Sequence, residues 1–294
     1  MTRIIFSFIA LIVFLAPLQA QTYELRYKLQ INKDYRFKQV EETSAMAQSS
    51  DGRGTQIERK TIRYFTITIE KSGVEGIQYV FVQDTAIVEE SGEDASIQQQ
   101  YIDFQNILTR KPVRVRQSST GIIESTVALE PLNAETVLGR GATDAMFLQR
   151  AALLPSLPAK KLEPLMTWAE TQRDTLYPSK DNPQVGRGTG VRFIANSTNY
   201  TVGSSEQKEG FSCLKVSWIS NASLEEKIIY PSLEEFTEDN TETTGDLYID
   251  LETGIPVNLD VYTTQENTRA LFGKQSNVIP SSVRTHTTLE LFSH

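Results

Sequence analysis

The chain has 294 residues, 39% of them hydrophobic and 9% aromatic, which is enough apolar content for a real core and argues against wholesale disorder. It carries 29 basic and 37 acidic residues, a formal charge of −8, with no basic block, so nucleic acid and anionic membrane surfaces are poor partners. Cys213 is the only cysteine, so no intramolecular disulfide can form. In an exported chain that points to a bacterial envelope more than to an animal extracellular space.

Residues 1–20 read as a secretory signal. Arg3 gives a short positive start, Ile4 to Ala16 is apolar apart from Ser7, and Pro17-Leu18-Gln19-Ala20 ends the run on a small residue. The apolar stretch is shorter than the roughly 20 residues that cross a bilayer. We expect cleavage between Ala20 and Gln21, no transmembrane span, and a soluble periplasmic or extracellular product. The signal holds no cysteine to lipidate, so no lipid anchor is expected.

Tyr23, Leu25, Tyr27, Leu29 and Ile31 alternate with polar residues, the pattern of an antiparallel strand with one wet face. Asn32-Lys33-Asp34 offers a turn, and Tyr35, Phe37 and Val40 begin a return strand. Phe65, Ile67 and Ile69 alternate with threonines, while residues 77–82 are apolar on both parities, as in a strand covered on both faces. Further strands are expected at 113–116, 167–176, 190–202, 211–219, 246–251, 255–263 and 283–292. Between them, residues 144–154 read as one buried helix, with Thr143 or Asp144 as its cap and Pro155 as its stop. Pro155, Pro158 and Pro164 then mark a linker.

The two sides of that linker echo each other. Gly52-Arg53-Gly54-Thr55 recurs as Gly186-Arg187-Gly188-Thr189, Glu75-Gly76-Ile77 as Glu209-Gly210-Phe211, and Thr120-Gly121-Ile122 as Thr253-Gly254-Ile255. These colinear matches point to a duplication, with repeats at 21–154 and 165–294 and the linker at 155–164. Strand parity slips by one residue between them, which a bulge would absorb.

Residues suited to catalysis are scarce. His286 lies in a polar strand pattern and His294 is the last residue, so neither has the His or Cys neighbours that a zinc site needs. Cys213 sits inside an apolar strand and reads as structural. Gly186-Arg187-Gly188-Thr189-Gly190 leads into a strand, not a helix N-terminus, and reads as turn glycines and not a phosphate cradle. Glu89-Glu90-Ser91-Gly92-Glu93-Asp94 and Glu238-Asp239-Asn240-Thr241-Glu242 match no calcium loop and read as solvated hairpin tips. No catalytic, cofactor-binding or metal-binding residue is assigned, and no cofactor is expected. Paired-carboxylate hydrolysis stays open as a distant alternative.

Tyr23 to Leu29, Trp168-Ala169-Glu170-Thr171, and Thr244-Gly245-Asp246-Leu247-Tyr248-Ile249-Asp250-Leu251-Glu252-Thr253-Gly254 together resemble an uncharacterised family of exported bacterial β-proteins. That resemblance implies two similar halves and carries no known catalytic residues. The architecture is more loosely similar to the half-barrels of lipoprotein-localisation proteins. The expectation is a mainly antiparallel β-protein of two related curved sheets, half-barrel-like, with one buried helix. Functionally it points to a non-enzymatic envelope protein that binds an apolar ligand, such as a lipid, or a protein partner on a concave sheet face. The alternative is a structural or adhesion-type protein whose sheets are fully packed.

Overall fold

The computed structural model describes residues 22–48, 54–92, 95–131, 151, 154–182, 186–273 and 276–293. The expected cleavage site at Ala20 and Gln21 lies outside them, as does most of the expected helix at 144–154. Within them the chain is mainly antiparallel β. The strands are β1 (Asp34–Gln48), β2 (Gly54–Gly73), β3 (Gly76–Ser91), β4 (Val113–Gln117), β5 (Ile123–Ala128), β6 (Thr167–Leu176), β7 (Ser179–Asn182), β8 (Gly186–Lys208), β9 (Phe211–Ile229), β10 (Glu234–Asp250), β11 (Pro256–Phe272) and β12 (Asn277–Ser293). One described helix longer than a turn, α1 (Ala95–Leu108), joins β3 to β4.

The strands form one sheet where two were expected. Its order is β5-β4-β3-β2-β1-β12-β11-β10-β9-β8-β6, with β7 also on β8. The link is the antiparallel pairing of β1 with β12, which sets Phe37 opposite Leu291 and Thr43 opposite Thr285. The N-terminal strands run outward from β1 to β5 as a meander, and β6 to β11 repeat that neighbour order from the opposite edge. No ladder joins the edge strands β5 and β6, so the sheet is not closed.

One face of the sheet is apolar near one end of the strands. Phe37, Phe65, Ile67, Phe81, Val115, Val202, Leu214, Leu247 and Leu289 form one buried cluster there. Since this cluster joins side chains from β4 and from β8, far apart in strand order, the sheet curls around it and this is the inner face. Val80 and Val82 on the outer face are only half-buried, so the strand at 77–82 is fully covered on one face only. Toward the other end the inner face turns polar, with Thr, Ser, Asn and Gln beside the ion pairs of Arg63 with Glu41 and of Arg192 with Glu226.

The first described segment departs most from expectation. Tyr23, Leu25, Tyr27 and Leu29 are buried and their neighbours exposed, so the alternation holds as far as Leu29, while Ile31 is exposed. Apart from a bridge between Tyr23 and Leu162, however, the segment pairs with no strand. It crosses the mouth of the core instead. The Tyr27 N–H donates to the Ser119 carbonyl at 3.0 Å and the Lys28 N–H to the Thr253 carbonyl at 2.8 Å, so one segment touches the β4–β5 and β10–β11 turns. The Tyr27 hydroxyl donates to the Pro155 carbonyl at 2.6 Å.

Helix α1 lies over the inner face of β1–β3. Tyr101, Gln105 and Leu108, at helical spacing, face the sheet. Beneath it Arg63 is 1% exposed, yet its guanidinium reaches Gln39, Glu41, Gln105 and Tyr101 at 3.0–3.4 Å. A buried cation needs that many acceptors to offset its lost hydration.

A groove on the inner face of the C-terminal half

The connection from β9 to β10 spans only residues 230–233, where the connection from β3 to β4 holds α1. Among the described residues no helix lies above the inner face of β8–β11, and a groove of about 470 Å³ opens there. Its floor is Val216, Leu247, Ile249 and Leu259, and residues 155–158 make one wall. Backbone bonding fixes that wall: the Leu157 N–H donates to the Thr120 carbonyl at 2.6 Å, and Gln117 Nε2 to the Leu154 carbonyl at 2.9 Å.

Three aromatic side chains line the groove: Trp168 on β6, Tyr200 on β8 and Trp218 on β9. Register places them side by side, Trp168 opposite Tyr200 and Tyr200 opposite Trp218, so all three share the inner face. Trp168 and Tyr200 stack with centroids 4.6 Å apart and 11° between planes. Lys160 Nζ lies 4.2 Å from the centre of the Trp168 ring. Burial and the nearby Glu170 carboxylate push the Tyr200 phenol up, so it stays protonated at neutral pH. Trp218 faces Gly245 across the ladder, and a Cβ on that glycine would lie only 2.3–2.7 Å from three atoms of the indole. The ring lies flat on the sheet, in space that only a glycine leaves.

Next to the aromatic row is a row of hydroxyls. Thr198, Ser220, Thr243, Thr263, Thr285 and Thr43 are successive register partners across six adjacent strands. Thr198 and Ser220 are 2.8 Å apart, Thr243 and Thr263 3.2 Å. Thr198, Ser220 and Thr243 form the polar rim of the groove, with Glu170, whose carboxylate accepts from Trp168 Nε1 at 3.2 Å.

The residues weighed from sequence do not gather here. His286 stacks on Tyr262 at 4.0 Å, and its Nε2 lies 2.8 Å from Asp260 on the outer face. A wider hollow of about 590 Å³ beside it is lined by Glu42, Lys60 and Arg284, and its Lys60–Glu42 pair at 2.7 Å neutralises itself. Cys213 is fully buried, and burial with nearby Asp250 pushes its thiol up to about 12, as a structural cysteine requires.

Two acidic and glycine readings need correction. Glu238-Asp239-Asn240-Thr241-Glu242 is no hairpin tip but lies inside β10, and Glu90 is a buried partner of Arg59 in β3. Gly188 and Gly190 lie within β8, where their missing side chains leave room for Tyr230 and the Lys227 backbone. Among the described residues no group of three or more His, Cys, Asp or Glu could hold a metal, and no helix is long and apolar enough to cross a membrane.

The aromatic groove leaves only a faint signal in the sequence. Trp168 and Trp218 each extend a short apolar alternation, Met166–Trp168 and Leu214–Val216–Trp218, into stretches of Thr, Ser and charged residues.

No family model and no curated protein matches the chain. Among solved structures it is similar to a Bacteroides fragilis protein described as exported and as having a YmcC-like fold. The two share 12% identity over 92% of this chain and 100% of that one, with a TM-score of 0.23. It is also similar to OccAB4 of Acinetobacter baumannii, with 7% identity over 90% of this chain and 99% of that one, and a TM-score of 0.23. At such scores neither likeness bears on function.

Proposed function

We propose that this is an exported, non-enzymatic envelope protein that holds an apolar ligand in the inner-face groove of its C-terminal half. The observation that carries the reading is the groove itself, an apolar floor with three half-buried aromatic rings left uncovered by the chain's described side chains. A purely structural sheet would fill that space, as α1 does in the N-terminal half.

A duplication accounts for the difference between the halves. Gly76 and Gly210 both have positive φ at the turns into β3 and β9, and Gly121 and Gly254 both have it before β5 and β11. Arg59 faces Glu90 across β2–β3 as Arg192 faces Glu226 across β8–β9. β2 and β8 each carry a register irregularity shortly before the turns at Gly76 and Gly210, between Ile69 and Lys71 and between Val202 and Ser205. On this reading the two halves are copies of one unit, and α1 occupies in one copy the face that a ligand occupies in the other.

The chain has only two tryptophans and both line the groove, so intrinsic fluorescence reports on it directly. Titration with the apolar dye N-phenylnaphthylamine should give saturable quenching with energy transfer, and Trp218→Ala should weaken binding at least tenfold. Absence of saturable binding, together with no lipid co-purifying in native mass spectrometry, would overturn the reading. For export, mass spectrometry of protein from the cell envelope should find an N-terminus at Gln21, and an intact Met1 on the mature species would count against it.

A further inference from the structure

The lining of the groove also says what kind of apolar ligand fits, an inference that rests on the proposed function. We propose that the ligand is an amphiphile whose alkyl chain lies on the apolar floor and whose head is a neutral sugar stacked on Trp218.

Three features select this head. Because Trp218 lies flat over Gly245, its far ring face is turned into the groove. The C–H-rich face of a pyranose packs on such a platform by dispersion and by attraction to the ring's negative face. Second, the row beside the platform is made of hydroxyls. Thr198, Ser220 and Thr243 can each donate and accept, which matches the mixed donor and acceptor character of sugar hydroxyls. The row continues through Thr263, Thr285 and Thr43, so at about 4.8 Å per strand six strands offer hydroxyls over roughly 24 Å. Third, the described lining of the groove holds one charged group, the Glu170 carboxylate, and the Lys160 ammonium sits on the Trp168 ring, two strands away from Trp218. A carboxylate or phosphate head seated on Trp218 would meet no counter-charge among these lining residues, whereas Glu170 can accept from a sugar hydroxyl.

Chain and head fall into register because the rows are adjacent. Leu247 and Val216 are one row, Gly245 and Trp218 the next on the same face, and Thr243 and Ser220 the third. Neighbouring rows are about 7 Å apart along a strand, so an alkyl chain on the first row brings a directly attached sugar over the second and third.

The test is calorimetric titration of the full chain with three probes: n-dodecyl-β-maltoside below its micellar concentration, dodecanoic acid and maltose. The maltoside should bind at least tenfold more tightly than dodecanoic acid. Thr243→Val and Ser220→Ala, which keep the strands, should weaken the maltoside about five- to tenfold and leave dodecanoic acid unchanged. Gly245→Ala, which forces the indole off the sheet, should weaken the maltoside at least tenfold. Equal binding of the two amphiphiles, or tighter binding of dodecanoic acid, overturns the sugar head and leaves the apolar-ligand reading standing. Binding of maltose with neither amphiphile overturns both. So does an absence of binding by all three when the apolar dye also fails to bind.

Discussion

Gly254 shows what a single residue settles. Its φ is +74°, in the left-handed region that other residues enter only with strain, and a Cβ there would sit 2.3 Å from the Arg26 carbonyl oxygen. Two costs coincide, backbone strain and a clash with the segment that crosses the core. Gly254→Ala should therefore destabilise by about 2 kcal/mol or more, read as a lowered midpoint in urea unfolding. An unchanged midpoint would mean the 22–31 segment is not seated against that turn. At this scale the sequence was legible where residue type follows burial: Cys213 and the alternation from Tyr23 to Leu29 gave their environments away. It was silent on Arg63, because a buried arginine is recognised only by acceptors drawn from two strands and a helix.

At the scale of elements, the long strands were half-visible. β6 and β9 begin where their patterns predict, yet β9, β10 and β11 run on well beyond them. The unseen stretches are mostly Thr, Ser, Asn, Gln and Glu, with only scattered buried residues such as Ile228 and Ala270, so no hydrophobic period marks them. Cross-strand pairs and ladder hydrogen bonds hold them instead. One such pairing is at Glu226, whose side chain is 4% exposed and lies between Lys180 and Arg192. Burial pushes its carboxyl up, but hydrogen bonds from those two cations outweigh this and hold it below its ordinary value. Its contribution to stability is thus present above the unfolded value of about 4.3 and is lost as pH falls through the lower folded value. Glu226→Gln should lower Tm at pH 7 and flatten the fall in Tm below about pH 4.3. A variant whose Tm tracks the parent at every pH would exclude this role. α1 went unread for a similar reason: its inward stripe mixes Tyr101 and Gln105 with Leu108, so it lacks the apolar contrast of a core helix.

For the whole molecule, the antiparallel β class was legible, and the single sheet was not. Repeated patterns tell of similar units, but whether two units share a sheet depends on their edges, here the β1–β12 ladder. That ladder has a kinetic consequence. A chain synthesised from its N-terminus presents β1 early, yet its partner β12 follows every other described strand, and the turn that receives Lys28 forms only with β10 and β11. Contacts this distant in sequence carry a large loop-closure entropy and slow the search for the native pairing. Refolding followed by tryptophan fluorescence should therefore be slow, on the order of seconds. A chain lacking residues 277–293 should leave β1 and β11 as bare edges, aggregate, and show no cooperative unfolding; cooperative melting near the parent Tm would refute this. Until β12 pairs with β1, then, the sheet stays unfinished at its middle.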